Sequence, residues 1–430
     1  MKKILFILLT SIASNAIAQD NISPAPANKG ITIIKNGTIH TGTGTVLANT
    51  SIQVNNGKIE KIGNDINLNT TGATIFDATG MQVYPGFILS NTNIGLREIA
   101  NQVKASNDYN ELGELNPNIK SIVAYNTESK IINTLRSNGI LFANVTPRGS
   151  LIAGTSSVVQ FDAWNWEDAV YLKDNAQHFY MPSLLSRPGR NNVDPNFDPI
   201  KAARDRIENV KQFFRLAKAY NASNNNGVTN LKFEAVKGLF DKSQKLFIHC
   251  NVVKEMLTAI DFVKEFGFDV TLVGASESWQ IAPLLKQNNI SVILEEMHSL
   301  PTSVDDDIDQ PFKTPAILQK AGVLFAITDE HAESTGRNLM FNAGTAAAYG
   351  LTKEEALAAI TLNAAKILGV ANKSGSIEVG KDANIIISTG DVLDMRTSVI
   401  TKAYINGRDI NLDDKHKQLN KKYSDKYSIK

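Results

Sequence analysis

The sequence predicts an α/β protein: a TIM-like (β/α)₈ barrel carrying a small β-sandwich built from both chain ends. Three observations predict it. The chain has 430 residues, more than one ordinary core accommodates. Its centre, residues 84–370, alternates apolar runs of strand length with stretches at helical spacing. Both ends carry short alternating runs closed by Asn-Gly turns.

The N-terminus reads as an address. Lys2-Lys3 precede the apolar run Ile4 to Ile12, and Ala16-Ile17-Ala18 supplies a small-residue cleavage pattern. A signal peptide over 1–18, cut before Gln19, makes the chain periplasmic or secreted. The run is too short to span a bilayer, so no membrane anchor is expected after cleavage. A polar, Pro-rich linker follows. Ile31–Ile34 then runs into Lys35-Asn36-Gly37, and Ser51–Val54 into Asn55-Asn56-Gly57. These strands form the first part of the sandwich, residues 19–83.

The barrel is expected over 84–372. Its strand candidates are Gly139–Val145, Lys245–His249, Val270–Val273, Ile290–Leu294 and Val323–Ile327. Met256–Phe266, Ile281–Leu285 and Ile317–Lys320 fit helices. An open doubly wound sheet competes, but no Gly-rich phosphate turn follows the first strand. Two irregular segments, 101–118 and 188–199, read as long loops over the barrel mouth. The second part of the sandwich spans 373–412, with Ala383–Ile387, Ser398–Ile400 and Ala403–Ile405 as strands. A Lys-rich polar tail, 413–430, completes the chain.

Composition narrows the function. Hydrophobic residues make up 43% and charged residues 20%, as in folded globular proteins. The net charge of +1, with no basic stripe, gives no sign of a nucleic-acid partner. Cys250 is the single cysteine, so no internal disulfide forms, and it reads as a small buried core residue.

The stretch VYPGFILSNTNIGL, Val83 to Leu96, has the outline of a metal site without its metal-binding residues. Asn91 and Asn93 sit two apart on a strand and so share a face. Imidazoles there grip a metal ion; neutral amides do so poorly.

From these residues the chain resembles the amidohydrolase superfamily, in particular its imidazolonepropionase-like branch. Gly350-Leu351-Thr352 through Gly369 is similar to the last barrel helix of that family, and Gly375–Asn384 to its return into the sandwich, although Asp usually stands where Asn384 does. Val83–Ile88, His298-Ser299-Leu300-Pro301 with Asp305-Asp306, and Arg337-Asn338-Leu339 extend the likeness. The resemblance implies hydrolysis of a non-peptide C–N bond, in a cyclic amide or small dipeptide-like substrate. It also implies one or two metal ions that activate water. It maps the His-x-His pair onto Asn91 and Asn93, the fifth-strand His onto His249, and the eighth-strand Asp onto Asp329. The sixth-strand His falls near Gly274 and is absent, and no fourth-strand Lys or Glu stands out.

His249 and Asp329 are therefore the candidate catalytic residues and the candidate metal ligands, with Asn91, Asn93, Glu296, His298 and Arg337 as binding residues. Each has a plainer reading: His249 as a pocket histidine, Asp329 as a helix cap, Glu295–His298 as a solvated loop. Trp164 and Trp166 read as packing residues. Two cofactor states stay open, one weakly held zinc or other divalent ion, or no metal. Three functions stay open as well: a hydrolase with a reduced site, an inactive partner of a complete homologue, and a periplasmic small-molecule binding protein. A homo-oligomer is compatible with each.

Overall fold

The computed structural model describes residues 22–67, 70–98, 108–185, 197–223, 229–295 and 297–429. Residues 1–21, where a signal peptide is expected, Glu296, and parts of the two irregular segments lie outside these residues.

The first eight-stranded sheet joins the chain ends, as the turn chemistry predicts. It begins with β1 (Ile31–His40), β2 (Val46–Asn55), β3 (Lys58–Gly63), β4 (Thr74–Asp77) and β5 (Gln82–Pro85). The barrel strands follow: β6 (Phe87–Thr92), β7 (Ile140–Val145), β8 (Ile152–Gln160), β9 (Val170–Tyr180), β10 (Lys245–Cys250), β11 (Val270–Gly274), β12 (Ser291–Leu294) and β13 (Phe325–Ile327). The chain then returns to the first sheet with β14 (Ile385–Ser388), β15 (Ile400–Ile405) and β16 (Arg408–Asp409).

The seam between the two ends is the antiparallel β5–β14 ladder, with Ile386 opposite Tyr84. Ile34, Ile52, Val83, Ile385 and Tyr404 fill the small core beneath it. The β2–β3 turn and the β15–β16 turn touch through glycine: a Cβ on Gly407 would meet the Cα of Gly57 at 2.9 Å. Only residues without side chains permit that approach.

The second sheet has eight strands in the order β13 to β6. All neighbours are parallel except around β8, which pairs antiparallel with both β7 and β9. A uniform βα repeat does not foresee this. The connection from β7 to β8 is the short loop 146–151, and a link that short permits only a hairpin. The barrel is nearly closed between β13 and β6, where a hydroxyl replaces ladder bonds. Thr328 Oγ1 accepts from the Ser90 and Asn91 N–H groups at 3.0 and 3.4 Å.

Packing follows the sequence pattern. Helix Val253–Phe266 buries Met256, Ala259, Ile260 and Phe262 against the barrel. Helix Lys353–Ala359 starts with a reciprocal cap: Glu355 N–H donates to Thr352 Oγ1 at 3.2 Å, and Thr352 N–H donates to Glu355 Oε2 at 2.8 Å. Trp166 is partly buried, but Trp164 is 65% exposed and does not pack as expected. The tail forms the exposed helix Lys415–Tyr427.

A buried charge cluster ties the barrel to the return segment. Asp162, 1% exposed, holds Arg136 Nη1 at 3.0 Å and Arg408 Nη1 at 2.8 Å, and accepts from Ala25 N–H at 3.0 Å. Among the described residues no helix is long and apolar enough to cross a membrane.

Candidate functional site

The C-terminal ends of β9 to β12 open on a cavity of about 610 Å³ lined by Arg148, Tyr180, His249, Cys250, Glu295 and Glu330, among others. Parallel register sets its level. His249 stands opposite Tyr180 on β9 and Val273 on β11. The His249 and Tyr180 rings stack with centroids 3.9 Å apart and planes 14° apart. The Tyr180 hydroxyl donates to the Pro147 carbonyl at 2.9 Å, fixing the loop that carries Arg148. Arg148 Nη2 in turn donates to Glu330 Oε2 at 2.5 Å. Burial pulls the Arg148 pKa down, but Glu330, Tyr180 and Glu295 outweigh it and raise it.

His249 is not free. Its Nε2 lies 2.9 Å from Nδ1 of His178, a fully buried histidine on β9. Burial lowers the His178 pKa to about 3. Burial, then His178 and Arg148, hold His249 well below the usual imidazole value. Both rings are therefore neutral near pH 7, and one N–H is shared between them. In either tautomer the Nε2 atom of His249 is committed to His178.

The structure brings some of the predicted residues together and leaves others apart. Asn91 and Asn93 are buried and face a narrow cleft with Arg148, Tyr180 and Glu330. Asn91 Nδ2 donates to Glu295 Oε1 at 2.6 Å, while its Oδ1 is buried with no partner among the described residues. Asp329 spends its carboxylate on the loop and helix that follow it. Oδ1 accepts from His331 N–H at 3.0 Å and Thr335 Oγ1 at 2.8 Å, and Oδ2 lies 3.4 Å from Asn342 Nδ2. His298 is exposed, its Nε2 2.9 Å from Thr345 Oγ1, and it lies outside the cavity lining. Arg337 is exposed and lines a different cavity. Glu296 lies outside the described residues. Cys250 is buried as expected, and burial followed by Glu255 pushes its thiol far up.

Arg148, Tyr180 and His178 escaped sequence reasoning. The turn Pro147-Arg148-Gly149 after a strand, and the polar ring residues in Gln177-His178-Phe179-Tyr180, were the available signals.

The resident metal implied by the resemblance needs three or four converging N, S or anionic O donors. Among the described residues no group of three or more His, Cys, Asp or Glu is placed to hold one. His249 gives Nε2 to His178, Asp329 gives its oxygens to residues 331, 335 and 342, and Asn91 and Asn93 offer neutral amides. This donor set does not fit tight binding of a transition metal.

Comparison with known proteins agrees with the fold. The amidohydrolase family profile matches residues 214–410. The chain is 37% identical over 82 residues to an imidazolonepropionase of Thermoplasma volcanium, covering 19% of this chain and 20% of that protein. It is 53% identical over 49 residues to an imidazolonepropionase of Shewanella oneidensis, covering 11% and 12%. These matches thus span a fifth or less of the curated relatives. An amidohydrolase of Thermotoga maritima superposes with a TM-score of 0.77 at 25% identity, over 88% of this chain and 99% of that one. A zinc-bound adenosine deaminase of Xanthomonas campestris shares the fold at TM-score 0.55 and 15% identity, over 93% and 99%. The fold and these likenesses define a chain of the amidohydrolase superfamily, a superfamily of typically metal-dependent hydrolases. Within it, the chain is similar to imidazolonepropionases over these short stretches.

Proposed function

We propose that this chain is an exported small-molecule binding protein of the amidohydrolase superfamily, one that kept the barrel-mouth pocket and not metal-assisted hydrolysis. One observation carries the reading: three of the groups at the ligand positions that the resemblance assigns are engaged by neighbouring protein groups. His249 bonds His178, Asp329 bonds its own loop, and Asn91 bonds Glu295. The polar wall fits a small ligand that carries both hydrogen-bond donors and an acceptor. Glu295 and Glu330 accept, Arg148 donates, and the Tyr180–His249 stack offers a flat floor. Cyclic amides and small dipeptide-like molecules have these groups.

The test is thermal unfolding of the purified chain against a panel of such compounds, with product analysis alongside. A saturable rise in Tm without consumption of the compound supports binding alone. A second reading, a hydrolase working without metal, is favoured by the crowding of Glu295, Glu330 and Arg148 at one cavity. Consumption of the compound, lost in both Glu295→Gln and Glu330→Gln, would establish that reading instead. Export rests on the leader Lys2–Ala18, and N-terminal sequencing of protein from the periplasmic fraction tests the cut before Gln19. An inactive-partner role predicts co-purification with a relative bearing an intact His-x-His pair.

A further inference from the structure

A second concave site lies away from the barrel-mouth pocket. Its volume is about 200 Å³, and three separate elements meet there. Helix Lys130–Ser137 contributes Lys130 and Thr134, the segment after β13 contributes Glu333 and Arg337, and helix Lys415–Tyr427 contributes Lys415 and His416. The charges are lopsided. Glu333 has a cation of its own, Arg97, at 3.8 Å. Lys130, Arg337 and Lys415 have no ion pair among the described residues. Arg337 turns Nη1 toward the Nε2 atom of His416 at 3.3 Å, so its one polar side-chain contact there is an imidazole rather than a carboxylate.

Lys130, Arg337 and Lys415 are exposed, and cations gathered at one cleft repel one another. An anion between them relieves that cost. A guanidinium presents a planar fork that matches two oxygens of a phosphate or carboxylate, and two flexible ammonium groups close around the remaining charge. We infer that Lys130, Arg337, Lys415 and His416 form a binding site for a small oxyanion, a phosphate or carboxylate group of a low-molecular-weight ligand. Arg337 supplies direction, Lys130 and Lys415 supply charge, and His416 orients Arg337. The site stands apart from the pocket reading above, because Arg337 does not line the barrel-mouth cavity.

Inorganic phosphate is the first probe. Broadening of the ³¹P resonance is titrated with the full chain, Arg337→Gln, and the double variant Lys130→Gln/Lys415→Gln, at ionic strength held constant with chloride. Circular dichroism checks that each variant is folded. The expected result is saturable broadening with the unaltered chain and at least tenfold weaker apparent affinity in both variants. Competition by succinate assigns the site to carboxylates as well, and failure of succinate to compete confines it to phosphate. Broadening that does not saturate, or that is equal in the unaltered chain and both folded variants, overturns the site.

Discussion

The Nε2 atom of His249 lies 2.9 Å from the Nδ1 atom of His178, and burial keeps both rings neutral. The Nε2 atom of the histidine at the position the resemblance assigns to metal is therefore committed to the neighbouring strand. Its partner also has an Nε2 atom that is buried with no hydrogen bond among the described residues. Protonation of either ring would place a charge in a buried setting, and beside Arg148 for His249.

Acid should therefore destabilise this chain through these two histidines. In the unfolded chain each takes up a proton near pH 6.5; in the folded chain neither does until well below that, near 3 for His178. Between those values the unfolded state binds more protons, so stability falls as pH falls. The slope is about 1.4 kcal/mol per pH unit for each fully titrating histidine. Urea unfolding at pH 6.5 and pH 5 should show the loss, and His178→Gln should flatten it. An unchanged slope in that variant would contradict the pairing.

His40 should act with the opposite sign. Its Nδ1 lies 2.6 Å from Glu354 Oε1 and its Nε2 2.9 Å from Gln82 Oε1, while its ring stacks on Tyr84 at 4.4 Å. Burial lowers its pKa, but Glu354 and Gln82 outweigh that and raise it above the ordinary value. A raised pKa gives stability that is complete below pH 6.5 and is lost as pH rises through the folded value. His40→Gln should thus cost stability at pH 5.5 and little at pH 9. Equal losses at both pH values would count against a charged His40–Glu354 link.

Removing Asp162 should be among the most damaging single changes. Its carboxylate neutralises Arg136 and Arg408, and Arg136 and Asp162 are 3% and 1% exposed. Asp162→Ala leaves two buried or half-buried guanidinium groups without a counter-charge, at a cost of about 3–5 kcal/mol. The urea midpoint reports it. A loss below about 1 kcal/mol would mean that water replaces the carboxylate at little cost.

Arg148 should govern the barrel-mouth pocket. Arg148→Met leaves Glu330 without its 2.5 Å partner. Any compound that raises Tm through this cavity should lose at least tenfold in affinity, a change of about 1.4 kcal/mol or more. Retained affinity would place the ligand elsewhere.

The fold was legible because its signals are local. Asn-Gly turns and the apolar runs at β10 to β13 each specify a short piece of backbone, and the pieces fit one architecture. The antiparallel β8 was not legible, since nothing in Ile152–Gln160 distinguishes a strand running up from one running down; the short loop before it decides. The site was legible only in part. Asn91, Asn93 and His249 were found: Asn91 and Asn93 line a narrow cleft and His249 the larger cavity, and the two share Arg148, Tyr180 and Glu330. Arg148, Tyr180 and His178 were not found, because their importance lies in contacts with strands and loops far along the chain. Arg337, expected at the same pocket, lines another cavity because the segment carrying it turns toward helix Lys130–Ser137 and the tail helix.

Metal content after loading tests the central claim most directly. The purified chain is incubated with excess zinc, and separately with manganese, then freed of loose ions by gel filtration and assayed by elemental analysis. The donor set predicts well under one equivalent of either metal, unchanged in His249→Ala and Asp329→Ala. About one equivalent retained by the unaltered chain and lost in both variants would contradict the account and restore metal-assisted hydrolysis as its function.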